Sequence, residues 1–210
     1  MAETHHPFWE DYPRIRGEHL RDARLYAERT DLIRALPVRP RGRIAEIGVW
    51  RANFSKVLVT ELQPRQFFAF DIFTGHLATD WNGLSGTQLF DGLTHRAFYE
   101  REMRPYGDIV TVVEGPNAAV LPNYADHSFD LVYVDAAHDY ESVKIDAALA
   151  VKMVAESGLL VFNDYTVLDP GDGSRYGVVP VVNDLVVNHG WKIIGFALDI
   201  AMYCDIALQR

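Results

Sequence analysis

Short apolar runs and longer amphipathic stretches alternate along most of this 210-residue chain. Apolar runs of strand length bounded by turn residues read as buried strands, and apolar positions recurring every three to four residues read as helix. On these rules strands are predicted at Arg43–Val49, Gln66–Asp71, Ile109–Val113, Asp130–Asp135, Gly158–Phe162, Trp191–Leu198 and Met202–Leu208. Helices are predicted between them at Asn53–Leu62, Gln88–Met103, Ala118–Asn123, Tyr140–Glu156 and Val178–His189. One more helix is expected ahead of the first strand, over Gly17–Leu36, where Leu20, Ala23, Leu25, Ala27, Leu32 and Ile33 stand among Arg, Asp and Glu. Pro37 and Pro40 end it, because proline lacks the N–H donor and restricts the residue before it.

Strands separated by helices imply a parallel sheet covered by helices on both faces. The last two strands differ, since the few residues around Asp199–Ala201 are too short a link for a parallel crossover. The expected fold is therefore α/β: a Rossmann-like, mostly parallel sheet of seven strands, with a C-terminal antiparallel hairpin and helices on both faces. Residues 1–42 read as an N-terminal cap or lid region and 43–210 as the main domain, the two forming one compact unit. Before the first helix lies an aromatic-rich irregular segment, Pro7–Pro13. A long polar loop, Ile72–Gln88, breaks the alternation, and loops of that length inside a compact domain are usually functional or mobile.

Composition adds exclusions more than assignments. Hydrophobic residues at 49% and charged residues at 23% are ordinary for a globular chain. A net charge of −9 disfavours nucleic acid as a partner, and Arg39, Arg41 and Arg43 read as a solvated surface. No apolar stretch reaches the roughly 20 residues of a membrane span, and the polar, His-containing start does not fit a secretory signal. A cytoplasmic protein without a membrane partner is expected. Cys204 is the single cysteine, so no intramolecular disulfide can form, and its apolar surroundings predict a buried thiol.

In an open α/β sheet, ligands bind at the carboxyl ends of the strands, where strand order reverses. The first such end reads Glu46-Ile47-Gly48-Val49-Trp50-Arg51-Ala52. Gly48 permits a sharp turn and close approach of a ligand, but Trp50 and Ala52 replace the further glycines a pyrophosphate would need. Glu46 adds negative charge, which suits a cation better than a phosphate. The second strand ends in Asp71, placed to accept hydrogen bonds from ribose hydroxyls. Glu114, Gly115 and Asn117 follow the third strand and face the same crevice. Asp135 ends the fourth strand, and Asn163 and Asp164 end the fifth. These three converging oxygen donors form a candidate Mg2+ site. His138, one short turn past Asp135, is a candidate general base at neutral pH. His76 and His95 read as solvated or structural.

The segments EIGVW, FAFDIF and VEG, followed by FDLVYVDAAHDYESVKIDAALAVKMVAESGLLVFNDY, resemble the class I S-adenosylmethionine-dependent methyltransferase family. The nearest branch holds small-molecule O-methyltransferases of the catechol and macrolide-sugar type. The resemblance implies methyl transfer from S-adenosylmethionine to a small-molecule hydroxyl. It places Glu46 and Gly48 beside the methionine part, Asp71 at the ribose, Ile72 next to the adenine, and Glu114, Gly115 and Asn117 on the adenine side. It makes Asp135 the acid after strand four, which in metal-dependent relatives binds Mg2+ with the two residues here numbered Asn163 and Asp164. The acceptor pocket would be walled by Pro7–Arg16, Phe73–Gln88 and Asp164–Tyr176, with Phe8, Trp9, Trp81, Tyr165 and Tyr176 available for stacking. Two rival readings stand beside this one: a methyltransferase-like binding protein without catalysis, and a nicotinamide-dependent oxidoreductase. A homodimer is compatible with the aromatic N-terminus.

Overall fold

The runs IAEI, FFAF, DLVYV and GLLVF are apolar at successive rather than alternate positions, as strands covered on both faces must be. They occupy the middle of an eight-stranded sheet in a computed structural model that describes residues 11–81, 83–124, 128–169, 171, 173–200 and 203–210. The strands are Arg24–Tyr26 (β1), Arg43–Ile47 (β2), Gln66–Asp71 (β3), Val110–Glu114 (β4), Phe129–Val134 (β5), Val154–Phe162 (β6), Lys192–Ala197 (β7) and Asp205–Gln209 (β8). Their spatial order is β1-β7-β8-β6-β5-β2-β3-β4. All neighbouring pairs are parallel except those of β8, which lies antiparallel between β6 and β7. The predicted mostly parallel sheet and its closing antiparallel hairpin are therefore present.

The helices are Arg29–Ala35 (α1), Asn53–Leu62 (α2), Gly86–Leu89 (α3), His95–Met103 (α4), Asn117–Val120 (α5), Tyr140–Met153 (α6) and Val178–His189 (α7). Side chains alternate across each strand, so the sheet feeds two separate cores. Ala45, Phe70, Val132 and Phe162 pack with Val143 and Ala147 of α6 and Val182 of α7. Ile44, Phe67, Leu131 and Val161 pack on the other face with Leu32 of α1, Leu58 of α2 and Tyr99 of α4.

The structure corrects several sequence expectations. Gly17–Leu36 is not one helix: Gly17–Leu20 is a short 3-10 turn, β1 follows, and helix is confined to α1. Leu20 and Leu25, which completed the apparent apolar stripe, are 48% and 69% exposed. The backbone of β7 instead recruits residues 24–26 as an eighth strand, pairing Arg24 with Gly195 and Tyr26 with Ala197. The helix expected over Gln88–Met103 is divided into α3 and α4 by Asp91 and Gly92, with φ of 53° and 76°. An Asp-Gly pair favours such left-handed turns and outweighed the helical periodicity. Helix α6 stops at Met153, and Val154 already belongs to β6, whose register against β5 shifts between Phe129 and Leu131. Met202, Phe8 and Trp9 lie outside the described residues. Among the described residues, no helix is long and apolar enough to cross a membrane.

The chain ahead of β1 is tied to the far end of the sheet. Asn183 on α7 donates from Nδ2 to the Pro13 carbonyl at 2.7 Å, and its Oδ1 accepts from the Tyr165 hydroxyl at 2.5 Å. Asn183→Ala leaves both partners unsatisfied. It is expected to cost about 1–3 kcal/mol in denaturant unfolding and to speed proteolysis within residues 11–20.

Candidate active site

From β2 the chain moves outward to β3 and β4 on one side, whereas β5 and β6 lie on the other. The carboxyl ends of β2 and β5 therefore border the crevice where strand order reverses. Gly48 sits there with φ of 85°, and a Cβ at this position would fall 1.9 Å from the Asp135 carbonyl oxygen. Only glycine lets the two backbones approach this closely. Trp50 and Ala52 keep the left-handed conformation of a glycine loop, at φ of 41° and 63°. The cleft above Gly48 is lined by Arg29, Glu46, Phe54 and Asp135, with Trp50 and Arg51 at its side.

Glu46 is buried and accepts a hydrogen bond from the Ser55 hydroxyl, whose oxygen in turn accepts from Tyr99 at 3.1 Å. Burial raises its pKa well above the carboxylate range; Ser55 opposes this, and the charges of Asp135 and Asp71 reinforce it. Burial thus opposes the charge expected of Glu46, whose side chain lines the cleft.

Asp71 clamps two loops. Its Oδ2 accepts from the Val49 N–H at 2.9 Å and its Oδ1 from the Phe73 N–H at 2.7 Å. Each oxygen retains a lone pair for a further donor. Ile72 beside it is 50% exposed. On the adjoining strand end, Gly115 donates its N–H to the Asp71 carbonyl at 3.0 Å. The Glu114 carboxylate pairs with Arg96 at 2.9 Å, and the Asn117 amide donates to Asp146 on α6 at 3.0 Å.

A second cluster adjoins the cleft through Asp135. His138 Nε2 lies 2.8 Å from Asp164 Oδ2, and its ring packs 4.4 Å from that of Tyr176. Asp164 is buried, holds a φ of 56°, and its Oδ1 has no hydrogen-bond partner among the described residues. One donor atom from each of Asp135, His138 and Asp164 falls within 4.8 Å of the others. Burial and the Asp164 charge push the Asp135 carboxyl up to about 7, with Arg29 opposing. Burial would lower the His138 pKa, but the hydrogen bond and charge of Asp164, with Asp135, raise it overall.

Asn163 occupies the predicted strand end, but its amide nitrogen is committed to Asp205 at 2.8 Å. The side chain that closes on Asp135 and Asp164 is His138. His95 is structural: its Nδ1 accepts from Gly75 N–H at 3.3 Å, so Nε2 carries the hydrogen donated to the Trp50 carbonyl at 2.7 Å. His76 is half-buried away from this cluster. Trp81 leans on Trp50, ring centroids 4.9 Å apart. Cys204 is buried, as expected.

Sequence reasoning missed Arg29, Tyr133 and Asp205. Arg29 Nε lies 3.0 Å from Asp205 Oδ1, and its Nη2 donates to the Tyr133 hydroxyl, which itself donates to Asp205 at 2.9 Å. A lone acid in the apolar strand DIALQ was a visible signal for Asp205; Arg29 lies in no motif.

Sheet order, the switch-point cleft and the acids around it define the class I S-adenosylmethionine-dependent methyltransferase fold. The chain belongs to a methyltransferase domain family, whose model matches residues 45–165. No curated protein sequence matches the chain. Among solved structures it is similar to an O-methyltransferase family protein from Burkholderia thailandensis, at 14% identity and a TM-score of 0.60. That alignment covers 86% of this chain and 55% of the other, so the chain spans about half of the Burkholderia protein. An O-methyltransferase from Bacillus cereus in complex with SAH gives 14% identity and a TM-score of 0.60, over 86% and 78% of the two chains. A precorrin-6y C5,15-methyltransferase from Geobacter metallireducens gives 13% and 0.57, over 86% and 85%. The family assignment displaces the nicotinamide oxidoreductase reading.

Beneath Asn117, burial holds the Asp146 carboxyl at about 6 against 3.8 for a free aspartate, the Asn117 amide opposing and Asp139 reinforcing. The folded state thus binds this proton more tightly than the unfolded chain, and stability falls as pH rises from about 4 to about 6. Asp146→Asn keeps an acceptor for Asn117 and removes the titration. Thermal unfolding followed across that window is expected to give a flatter Tm profile for the variant than for the wild type.

Proposed function

We propose that this chain transfers the methyl group of S-adenosylmethionine to a hydroxyl of a small-molecule acceptor, with His138 as the general base. The observation that carries this reading is the double membership of Asp135, which lines the Gly48 cleft and also belongs to the cluster with His138 and Asp164. A methyl donor in the cleft would lie next to a base.

When bound, the cofactor supplies an activated sulfonium methyl, so the chain must align the acceptor and remove one proton. Gly48 opens room for the methionine part, next to Glu46 and Asp135. Asp71 offers its spare lone pairs to the ribose hydroxyls, and the exposed Ile72 an apolar contact for the adenine. Gly115, Glu114 and Asn117 border the adenine side. His138 would take up the proton that the acceptor hydroxyl gives up on methylation. Nε2 of that ring faces Asp164, which leaves Nδ1 to receive the proton while Asp164 stabilises the imidazolium. Tyr176, packed on the His138 ring, shields this face from water.

The partnerless Asp164 Oδ1 beside Asp135, with Asn163 adjacent, also fits a Mg2+ ion. Such an ion would lower the pKa of the acceptor hydroxyl. The exposed Trp81 favours an acceptor with a flat or apolar surface. The net charge of −9 favours a small molecule over nucleic acid, and a cytoplasmic setting agrees with the sequence.

Calorimetric titration with S-adenosylmethionine and S-adenosylhomocysteine, with and without Mg2+, tests this reading. Wild type is expected to bind with Kd on the order of micromolar and Asp71→Ala at least about tenfold more weakly. Absence of binding to both ligands under all conditions would sink it. With hydroxylated acceptors, His138→Ala is expected to lower turnover by about 10²–10⁴-fold while keeping the cofactor affinity. Wild-type turnover should rise with pH as His138 loses its proton, above the range of an ordinary imidazole. Cofactor binding without turnover of any acceptor would instead favour a binding protein.

A further inference from the structure

We infer that Arg29 anchors the carboxylate of the cofactor's amino-acid end, opposite Asp135 at its ammonium; this rests on the methyltransferase reading above. Arg29 is the first residue of α1 and lies outside the matched segment 45–165. Its guanidinium is placed from three directions: Asp205 Oδ1 as an ion pair 3.0 Å from Nε, the Tyr133 hydroxyl accepting a hydrogen bond from Nη2, and the Phe54 ring 4.1 Å beneath its central carbon. Nη1 makes no hydrogen bond among the described residues, and the side chain remains 19% exposed where it lines the cleft.

Asp205 alone does not account for this placement. It already accepts from Tyr133 at 2.9 Å and from Asn163 at 2.8 Å, and it lies behind the cleft, fully buried. The cleft-facing side of Arg29 meets Asp135 instead, at 3.7 Å between Nη2 and Oδ2. That separation is too long for a hydrogen bond but close enough to hold opposite charges side by side. An α-amino acid carries ammonium and carboxylate on a single carbon, so its zwitterion meets complementary charge at both groups. Guanidinium presents a planar fork suited to a carboxylate, and here its orientation is fixed before a ligand arrives.

The test separates the amino-acid end from the adenosine. Wild type, Arg29→Met and Arg29→Lys are titrated with S-adenosylhomocysteine and with 5′-methylthioadenosine, which keeps the adenosine and thioether but lacks the amino acid. Arg29→Met is expected to lose about 30-fold in affinity for S-adenosylhomocysteine, the scale of a lost charge-assisted pair, and to bind methylthioadenosine as wild type does. Arg29→Lys should fall between. Should Arg29→Met not fold, wild type is titrated with decarboxylated S-adenosylmethionine. Binding about 30-fold weaker than the parent compound, with Arg29→Lys narrowing that gap, carries the same conclusion. Unchanged S-adenosylhomocysteine affinity in Arg29→Met, or equal weakening of both ligands, overturns the assignment while leaving the cofactor in place. Failure of wild type to bind either ligand overturns the methyltransferase reading itself, and this inference with it.

Discussion

Where β2 and β5 end, backbone meets backbone. A methyl group at position 48 would stand 1.9 Å from the Asp135 carbonyl oxygen, so the cleft floor is main chain and admits no side chain. This contact keeps the strands in pairing distance up to Ile47 and Val134, and the Asp135 N–H bonds the Ile47 carbonyl at 2.8 Å. Beyond that pair the chain departs in opposite directions, toward α2 and toward α6. Each group assigned to the cofactor or the acceptor hangs from one of these departures or from the strand ends beside them.

The same crowding sets the electrostatics. Burial drives the pKa of Glu46 well above its ordinary range, and that of Asp205 to about 6. Asp135 stands between Arg29, which favours its charge, and Asp164, which opposes it. Such a site is costly to hold together and departs from the rule that acids remain in water. Concentrated, mutually perturbed carboxyls at a strand-end cleft are what a reactive centre looks like, where a merely structural crossing would be apolar.

The central sheet was legible because strands buried on both faces leave nearly continuous apolar runs. Phe67–Phe70 and Leu131–Val134 could hardly be anything else. The C-terminal hairpin followed from a link too short to cross over. The N-terminal region was not legible in this way: Leu25 reads as a helical core residue by spacing, yet it is exposed on a strand whose reason to exist is β7, more than 160 residues away. The candidate site residues follow the same division. Glu46, Gly48, Asp71 and Asp135 stand at strand ends, where position alone gives them away. Arg29 and Asp205 come together only through sheet order, and the pairing of His138 with Asp164 depends on a loop conformation that periodicity does not encode.

Strand β1 is three residues long, β4 at the opposite border five. A border strand offers a row of unpaired amide and carbonyl groups to any other extended chain, and shortness limits how many such groups lie in register. By covering β7 with so brief a strand, the N-terminal segment replaces a six-residue template with a three-residue one. The segment that carries Arg29 therefore also protects the sheet against aggregation. Removing residues 11–26 would leave the whole six-residue border of β7 open to pairing with another extended chain.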